Sequence, residues 1–211
     1  MGNLPDDVRW AVEQMCVIAE RLARALEDSV SPLLWAFPIG TDEYPPEHWY
    51  AAAIHDPTGV KNAGYAHTGI DLNLDKPNWG DIDRGMPVYS VCPGEIRVLG
   101  YSNLYLGSVI IEGEYHGRLI FFRYWHLAKD TTFLRHSEGQ LVAAGQRIGS
   151  IGNYTLGAGG DHCHFDCALD LFGAHWWFTY HPDVRWIDPV PILKENLDPA
   201  RVDAMLRRGD Y

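Results

Sequence analysis

Ten histidines lie in the 211 residues of this chain, and four of them fall at spacings that can hold a metal or move protons. His67 and Asp71, His126 and Asp130, and His162 and Asp166 each stand four apart, and His162-Cys163-His164 is a single His-x-His. A chain of this composition produces His-x-x-x-Asp about once by chance and His-x-His about half a time, so neither pattern stands alone. Geometry strengthens them. Side chains alternate along a strand, so His162 and His164 point the same way. His67 and Asp71 share a face in either regular conformation, and Gly69 with the β-branched Ile70 favours the extended one. Two same-face pairs can converge on one ion. Two His and one Asp suit a tetrahedral zinc shell that leaves its fourth position to water, as a catalytic site requires.

Elements that could position these residues follow from the hydrophobic pattern. Residues 6–28 predict a helix: Asp6 can cap it, Val8, Ala11, Met15, Ile18, Leu22 and Ala25 recur at a/d spacing, and Ser31-Pro32 ends it. From about residue 36 the texture turns to short β-rich runs broken by Gly and Pro. Expected strands are Met86–Val91, Glu95–Leu99, Ser108–Glu112, Arg118–Tyr124, Gln146–Ile151 and His162–Leu169, with turns at Pro93-Gly94 and His116-Gly117. Such runs without intervening helices predict a mainly β fold, an antiparallel sheet or sandwich. The polar stretch Asn73–Gly85 is expected to be a loop, and the tail from Asp198 to Tyr211 a short surface helix.

Composition narrows the classes of function. The formal charge is −11, from 28 acidic and 17 basic residues, which argues against nucleic acid and anionic membrane surfaces as partners. No run approaches the roughly 18 apolar residues of a membrane span. Glu13, Glu20, Arg21, Arg24 and Glu27 interrupt any secretion-signal core. Cys16, Cys92, Cys163 and Cys167 form no Cys-x-x-Cys pair and are expected to be free thiols; Cys163 and Cys167 on one strand would stand roughly 13 Å apart, too far for a disulfide.

In order along the chain come His67-Thr-Gly-Ile-Asp71-Leu, Gly85-Met-Pro-Val-Tyr-Ser, Tyr124-Trp-His126-Leu, Ala144-Gly-Gln-Arg-Ile-Gly149 and Asp161-His-Cys-His164-Phe-Asp166, and Trp186-Ile-Asp188-Pro closes the set. This succession, over about Phe37 to Leu193, resembles the lysostaphin/LytM family of zinc metallopeptidases. The resemblance implies that His67, Asp71 and His164 bind one Zn2+ per chain, and that His126 and His162 are catalytic without being ligands. It implies the lysostaphin-type peptidase domain over 36–195, which leaves the N-terminal helical appendage over 1–35 and a tail over 196–211. It also implies a zinc-dependent endopeptidase cutting peptide bonds of peptidoglycan cross-links or stems. Asp166 stands where the family usually has Glu, and Cys163 where Leu is common.

No His-Glu-x-x-His is present, so a helical Glu base is not available, and His126 and His162 fit the roles of proton acceptor and oxyanion donor. Asp166 is a candidate to orient an imidazole. Trp176, Trp177, Phe178 and Tyr180, with Tyr44, Trp49 and Tyr50, are expected to wall the substrate groove. His48, His55, His116, His136, His175 and His181 match nothing catalytic and read as ordinary solvated or core histidines. The expected partner is a peptidoglycan peptide, and a monomer is favoured over a dimer. An intact site without a leader fits a phage lysin released by a holin or carried in a virion. Two rivals remain at this point: a D-Ala-D-Ala-type zinc carboxypeptidase, whose ligands are spaced more widely and whose base is acidic, and a non-hydrolytic phage tail component or division factor on the same fold.

Overall fold

The computed structural model describes residues 34–56, 58, 66–74, 81–154, 160–170 and 184–206. The chain divides into two units, Met1–Leu33 and Leu34–Tyr211. The expected helix over 6–28, Cys16, the aromatic run 176–180, His175 and His181 all lie outside the described residues.

The second unit is built on one antiparallel sheet. Its strands are β1 (Trp49–Ala53), β2 (Gly69–Leu74), β4 (Gly94–Ser102), β5 (Leu106–Tyr115), β6 (Arg118–Leu127), β7 (Leu141–Val142) and β9 (Cys163–Ala168). They run in the order β1-β2-β9-β6-β5-β4-β7, and β10 (Trp186–Ile187) pairs with β9. A separate two-stranded ribbon joins β3 (Pro87–Tyr89) to β8 (Arg147–Ser150). Two short helices close the unit, α1 (Pro189–Asn196) and α2 (Pro199–Met205). The mainly β, antiparallel expectation is met. No helix among the described residues is long and apolar enough to cross a membrane.

Local sequence explains the joints. β5 and β6 are linked by His116-Gly117, both at positive φ (51° and 71°), the pairing a type I′ hairpin demands. Asp188 and Asp198 cap the two helices by accepting from Val190 N (3.0 Å) and Ala200 N (2.9 Å), each ahead of a proline at the first helical position.

β9 lies between β2 and β6, and all six of its residues are buried. Alternation splits it. Cys163, Phe165 and Cys167 enter the main core with Ile70, Leu72, Phe122, Tyr124, Val109 and Ile111. That core also takes Val88 from β3, Ile148 from β8, and Val202 and Met205 from α2. The helix expected on the surface from Asp198 is, over Pro199–Met205, packed into the core, because its Val202 and Met205 are apolar and buried. Cys92, Cys163 and Cys167 are buried thiols. Asn73 and Leu74, expected in a loop, complete β2, and Asp81–Asp83 form a 3-10 turn.

The opposite face of the sheet carries His164 and Asp166 of β9, Asp71 of β2, and Arg123 and Trp125 of β6. Cross-strand pairing brings these together: Asp71 faces His164, Gly69 faces Asp166, Arg123 faces Asp166 and Trp125 faces His164. Gly69 is required here, since a Cβ would stand 2.1 Å from the Phe165 carbonyl oxygen and 2.4 Å from Asp166 Cβ.

Candidate metal centre

His67 precedes β2 and is fixed by backbone bonds in both directions with Asp56, 2.8 and 2.9 Å. Its Nδ1–H donates to the Ile54 carbonyl at 3.0 Å, which leaves the Nε2 lone pair aimed inward. That nitrogen is buried with no hydrogen-bond partner and lies 3.1 Å from Asp71 Oδ1. Asp71 Oδ1 is also 2.7 Å from His164 Nδ1 and 3.6 Å from His162 Nε2. Donor atoms of His67, Asp71 and His164 all fall within 4.8 Å of one another. A buried imidazole nitrogen without a partner, facing a second imidazole across a carboxylate, is the donor set that a borderline-soft cation such as zinc accepts. The residues fit the metal.

Electrostatics divide the four histidines. Burial works against ionisation of Asp71, but charge on His162 and the hydrogen bond from His164 overcome it and hold the carboxyl well below its ordinary range. Burial likewise opposes charge on His164, yet Asp166 at Nε2 (2.9 Å) and Asp71 at Nδ1 raise it to about 9. Burial comes first for His126 as well, joined by charge on His162 and His164, and pushes it well below 6.5. In the metal-free chain one imidazole is thus held charged between two carboxylates, and another is held neutral.

His126 reaches the site through a backbone irregularity. The β5–β6 register shifts between Gly107 and Ser108, so that Trp125 and Leu127 are paired and His126 is the extra residue of a bulge, at φ 65°. Bulges of this kind re-aim a side chain, at a backbone cost of about 1–2 kcal/mol for a non-glycine residue. His126 Nδ1–H donates to the Tyr105 carbonyl at 3.1 Å and His162 Nδ1–H to the Gly160 carbonyl at 2.9 Å. The two rings meet edge to face at 4.7 Å between centroids.

The structure gathers His67, Asp71, His126, His162 and His164, the five candidates, at one end of the sheet face. It does not bring Asp130 there: Asp130 Oδ1 accepts from Thr132 N and Phe133 N (2.9 Å each), so that His-x-x-x-Asp match is a turn cap. Asp166 meets His164 rather than His162. Trp49 and Tyr50 are 1% and 6% exposed; Trp49 sits in the core, Nε1 bonded to the Tyr44 carbonyl, so the pair cannot wall a groove. The Trp49 ring packs in the main core instead. The residues that do flank the histidines were not foreseen: Tyr154 stacks on His126 at 3.8 Å, Trp125 at 4.8 Å, and Tyr105 packs on Trp125. Thr68 and Arg123 were also missed, although a lone Arg inside the apolar run Leu119–Trp125 is a visible signal.

Comparison with known proteins gives the fold and the family. No curated protein sequence matches the chain. Lysostaphin from Staphylococcus simulans superposes with a TM-score of 0.52 at 19% identity, covering 83% of this chain and 60% of its own. LytM from Ruminococcus gnavus superposes with a TM-score of 0.53 at 19% identity, covering 83% and 63%. A chain of the SpoIIIAH–SpoIIQ complex gives 0.51 at 16% identity, covering 75% and 99%. The chain thus spans under two thirds of the lysostaphin and LytM chains, and the likeness is one of fold. The sequence profile of Peptidase family M23 matches residues 65–170, a span that begins just before His67 and ends just after the β9 histidines, and on that match this chain belongs to the M23 peptidases.

Proposed function

We propose that this chain is a zinc-dependent endopeptidase that hydrolyses peptide bonds in peptidoglycan cross-links or stems. The observation that carries the reading is the pairing of two kinds of histidine at one place: His67 and His164 converge with Asp71 on a common point, while His126 and His162 stand beside them, each with Nδ1 bonded to a backbone carbonyl. Zinc, which His67, Asp71 and His164 would hold, would supply Lewis-acid polarisation of the scissile carbonyl and a lowered pKa for water.

The chain's own residues supply the rest. His126, kept neutral by burial with Nδ1–H committed to Tyr105, offers Nε2 as the acceptor of the water proton. His162, whose Nε2 lies 3.6 Å from Asp71 Oδ1, is the donor to the developing oxyanion. Trp125 and Tyr154, packed on either side of His126, hold its ring plane and exclude water from it. A phage lysin or another wall-directed hydrolase is the setting that this chemistry suits.

The second reading is an assembly protein without turnover, favoured by the likeness to a chain of the SpoIIIAH–SpoIIQ complex. The complete donor set and the paired histidines argue for hydrolysis. The deciding experiment incubates the zinc-loaded full chain with several purified peptidoglycans and identifies released fragments by mass spectrometry. New amine termini at one linkage are expected; zinc-loaded protein that releases nothing from any wall type would sink the endopeptidase reading and favour the assembly role.

A further inference from the structure

Behind His164, on the side away from Asp71, lies a charged pair that meets the candidate ligands at that histidine. Arg123 and Asp166 are both 0% exposed. Arg123 Nε donates to Asp166 Oδ1 at 3.0 Å and Nη2 to Oδ2 at 2.5 Å, a bidentate fork. The guanidinium is held between two indoles, its central carbon 4.5 Å from the Trp125 ring centre and 4.7 Å from that of Trp186. Thr68 completes the cluster: its hydroxyl donates to Asp166 Oδ2 at 2.5 Å and accepts from Arg123 Nη2 at 3.3 Å. One contact leads out. His164 Nε2 lies 2.9 Å from Asp166 Oδ2 and 3.1 Å from Thr68 Oγ1.

A buried ion pair is a poor way to stabilise a fold, because desolvation offsets the attraction and apolar residues of equal volume often do as well. This one sits on a sheet face whose neighbouring patch, Ile110, Phe121, Ala168 and Val184, is apolar. Its geometry is also specific. Only a fork fixed in plane can hold both oxygens of Asp166 while a third group approaches one of them, and lysine offers no such fork. An imidazole has two nitrogens, and the acceptor met by one decides which of them is offered to a metal.

We propose that Arg123 is a positioning residue for the metal centre: acting through Asp166 and Thr68, it fixes the acceptor for His164 Nε2–H and so commits His164 to presenting Nδ1 beside Asp71. This rests on the metal-binding reading above. The route from Arg123 to the metal ligands runs through Asp166 and Thr68 to His164 Nε2.

The test compares the full-length wild type with Arg123→Lys and Thr68→Val, and with Arg185→Lys, which alters the exposed pair with Asp170, as control. Zinc affinity is read by competition with a chromophoric chelator, and the coordination by the visible spectrum at saturating Co2+. Arg123→Lys and Thr68→Val should weaken zinc binding roughly 10–100-fold, the range for losing a partner behind a metal-bound histidine, and should shift the cobalt bands; Arg185→Lys should do neither. Wild-type affinity with an unchanged cobalt spectrum in the folded variants would overturn the proposal. So would weaker affinity with an unchanged saturated spectrum, which is what a merely structural role produces. Should Arg123→Lys fail to fold, Thr68→Val, which removes one hydroxyl, decides by the same two readings. A wild type that takes up neither metal would overturn the metal reading itself, a result distinct from every outcome among the variants.

Discussion

The two pairs of histidines at this site share a neighbourhood and differ in what holds them. His164 is gripped at both nitrogens by carboxylates, Asp71 on one side and Asp166 on the other. His126 and His162 are each gripped at Nδ1 by a backbone carbonyl. A carboxylate raises the charge an imidazole carries and fixes its orientation; a carbonyl fixes orientation and leaves the charge free to change. The first arrangement suits a ligand and the second a group that must gain and lose a proton in each turnover. His67 falls between them, carbonyl-held at Nδ1 but with Nε2 turned to Asp71.

The sharpest break of this comparison is at Asp71, the one group shared by the ligand histidines. Asp71→Ala is expected to reduce zinc from about one per chain to near none and to abolish turnover. Metal content after dialysis and peptide hydrolysis check it; full hydrolysis by metal-free protein would end the zinc reading. Next come His126→Ala and His162→Ala, which should retain zinc and lose about 10²–10⁴-fold in turnover. Zinc released by His162→Ala but kept by His164→Ala would reverse the roles within the His-x-His pair.

A third expectation uses opposite signs of linkage in the metal-free chain. His164, raised to about 9, contributes stability that is fully present below its unfolded value near 6.5 and is lost as pH rises through about 9. His126, depressed by burial, binds its proton more readily unfolded, so its contribution disappears as pH falls below about 6.5. Each limb has a slope of at most about 1.4 kcal/mol per pH unit. In denaturant titrations of metal-free protein, His164→Gln should flatten the alkaline limb and His126→Gln the acid limb. Identical profiles for both variants would show that the two imidazoles are held alike.

The smallest effect concerns the bulge. His126 occupies left-handed backbone at φ 65°, where glycine is at ease. His126→Gly should therefore be more stable than His126→Ala by about 1 kcal/mol, with both equally inactive. Equal midpoints in urea would show that the bulge carries no strain.

Much of the fold was legible because the strands alternate or run apolar between turn residues. Expected strands at Ser108–Glu112, Arg118–Tyr124 and His162–Leu169 overlap β5, β6 and β9, and only their ends moved. β1 escaped notice since Trp49–Ala53 is mostly alanine and shows no period of two. β7 and β10 are two residues each, too short for any pattern. Aromatic residues gave the least guidance: Trp49 and Tyr50 looked like groove wall, yet both are buried, on opposite faces of β1.

Residue types and their order along the chain sufficed to pick out His67, Asp71, His126, His162 and His164 and to connect them with a peptidase family. Strand alternation set His67 on one face with Asp71 and His162 on one face with His164; His126 and the family came from the ordered succession of motifs. Tertiary structure alone decided the rest. It separated the carboxylate-held imidazole from the carbonyl-held ones, turned Asp130 into a turn cap, and set Arg123 against Asp166, 43 residues away, and Thr68 against Asp166, 98 residues away. Those contacts follow from the antiparallel register of β2, β9 and β6. Register is the sum of every packing choice along three strands, and no local window of sequence contains it.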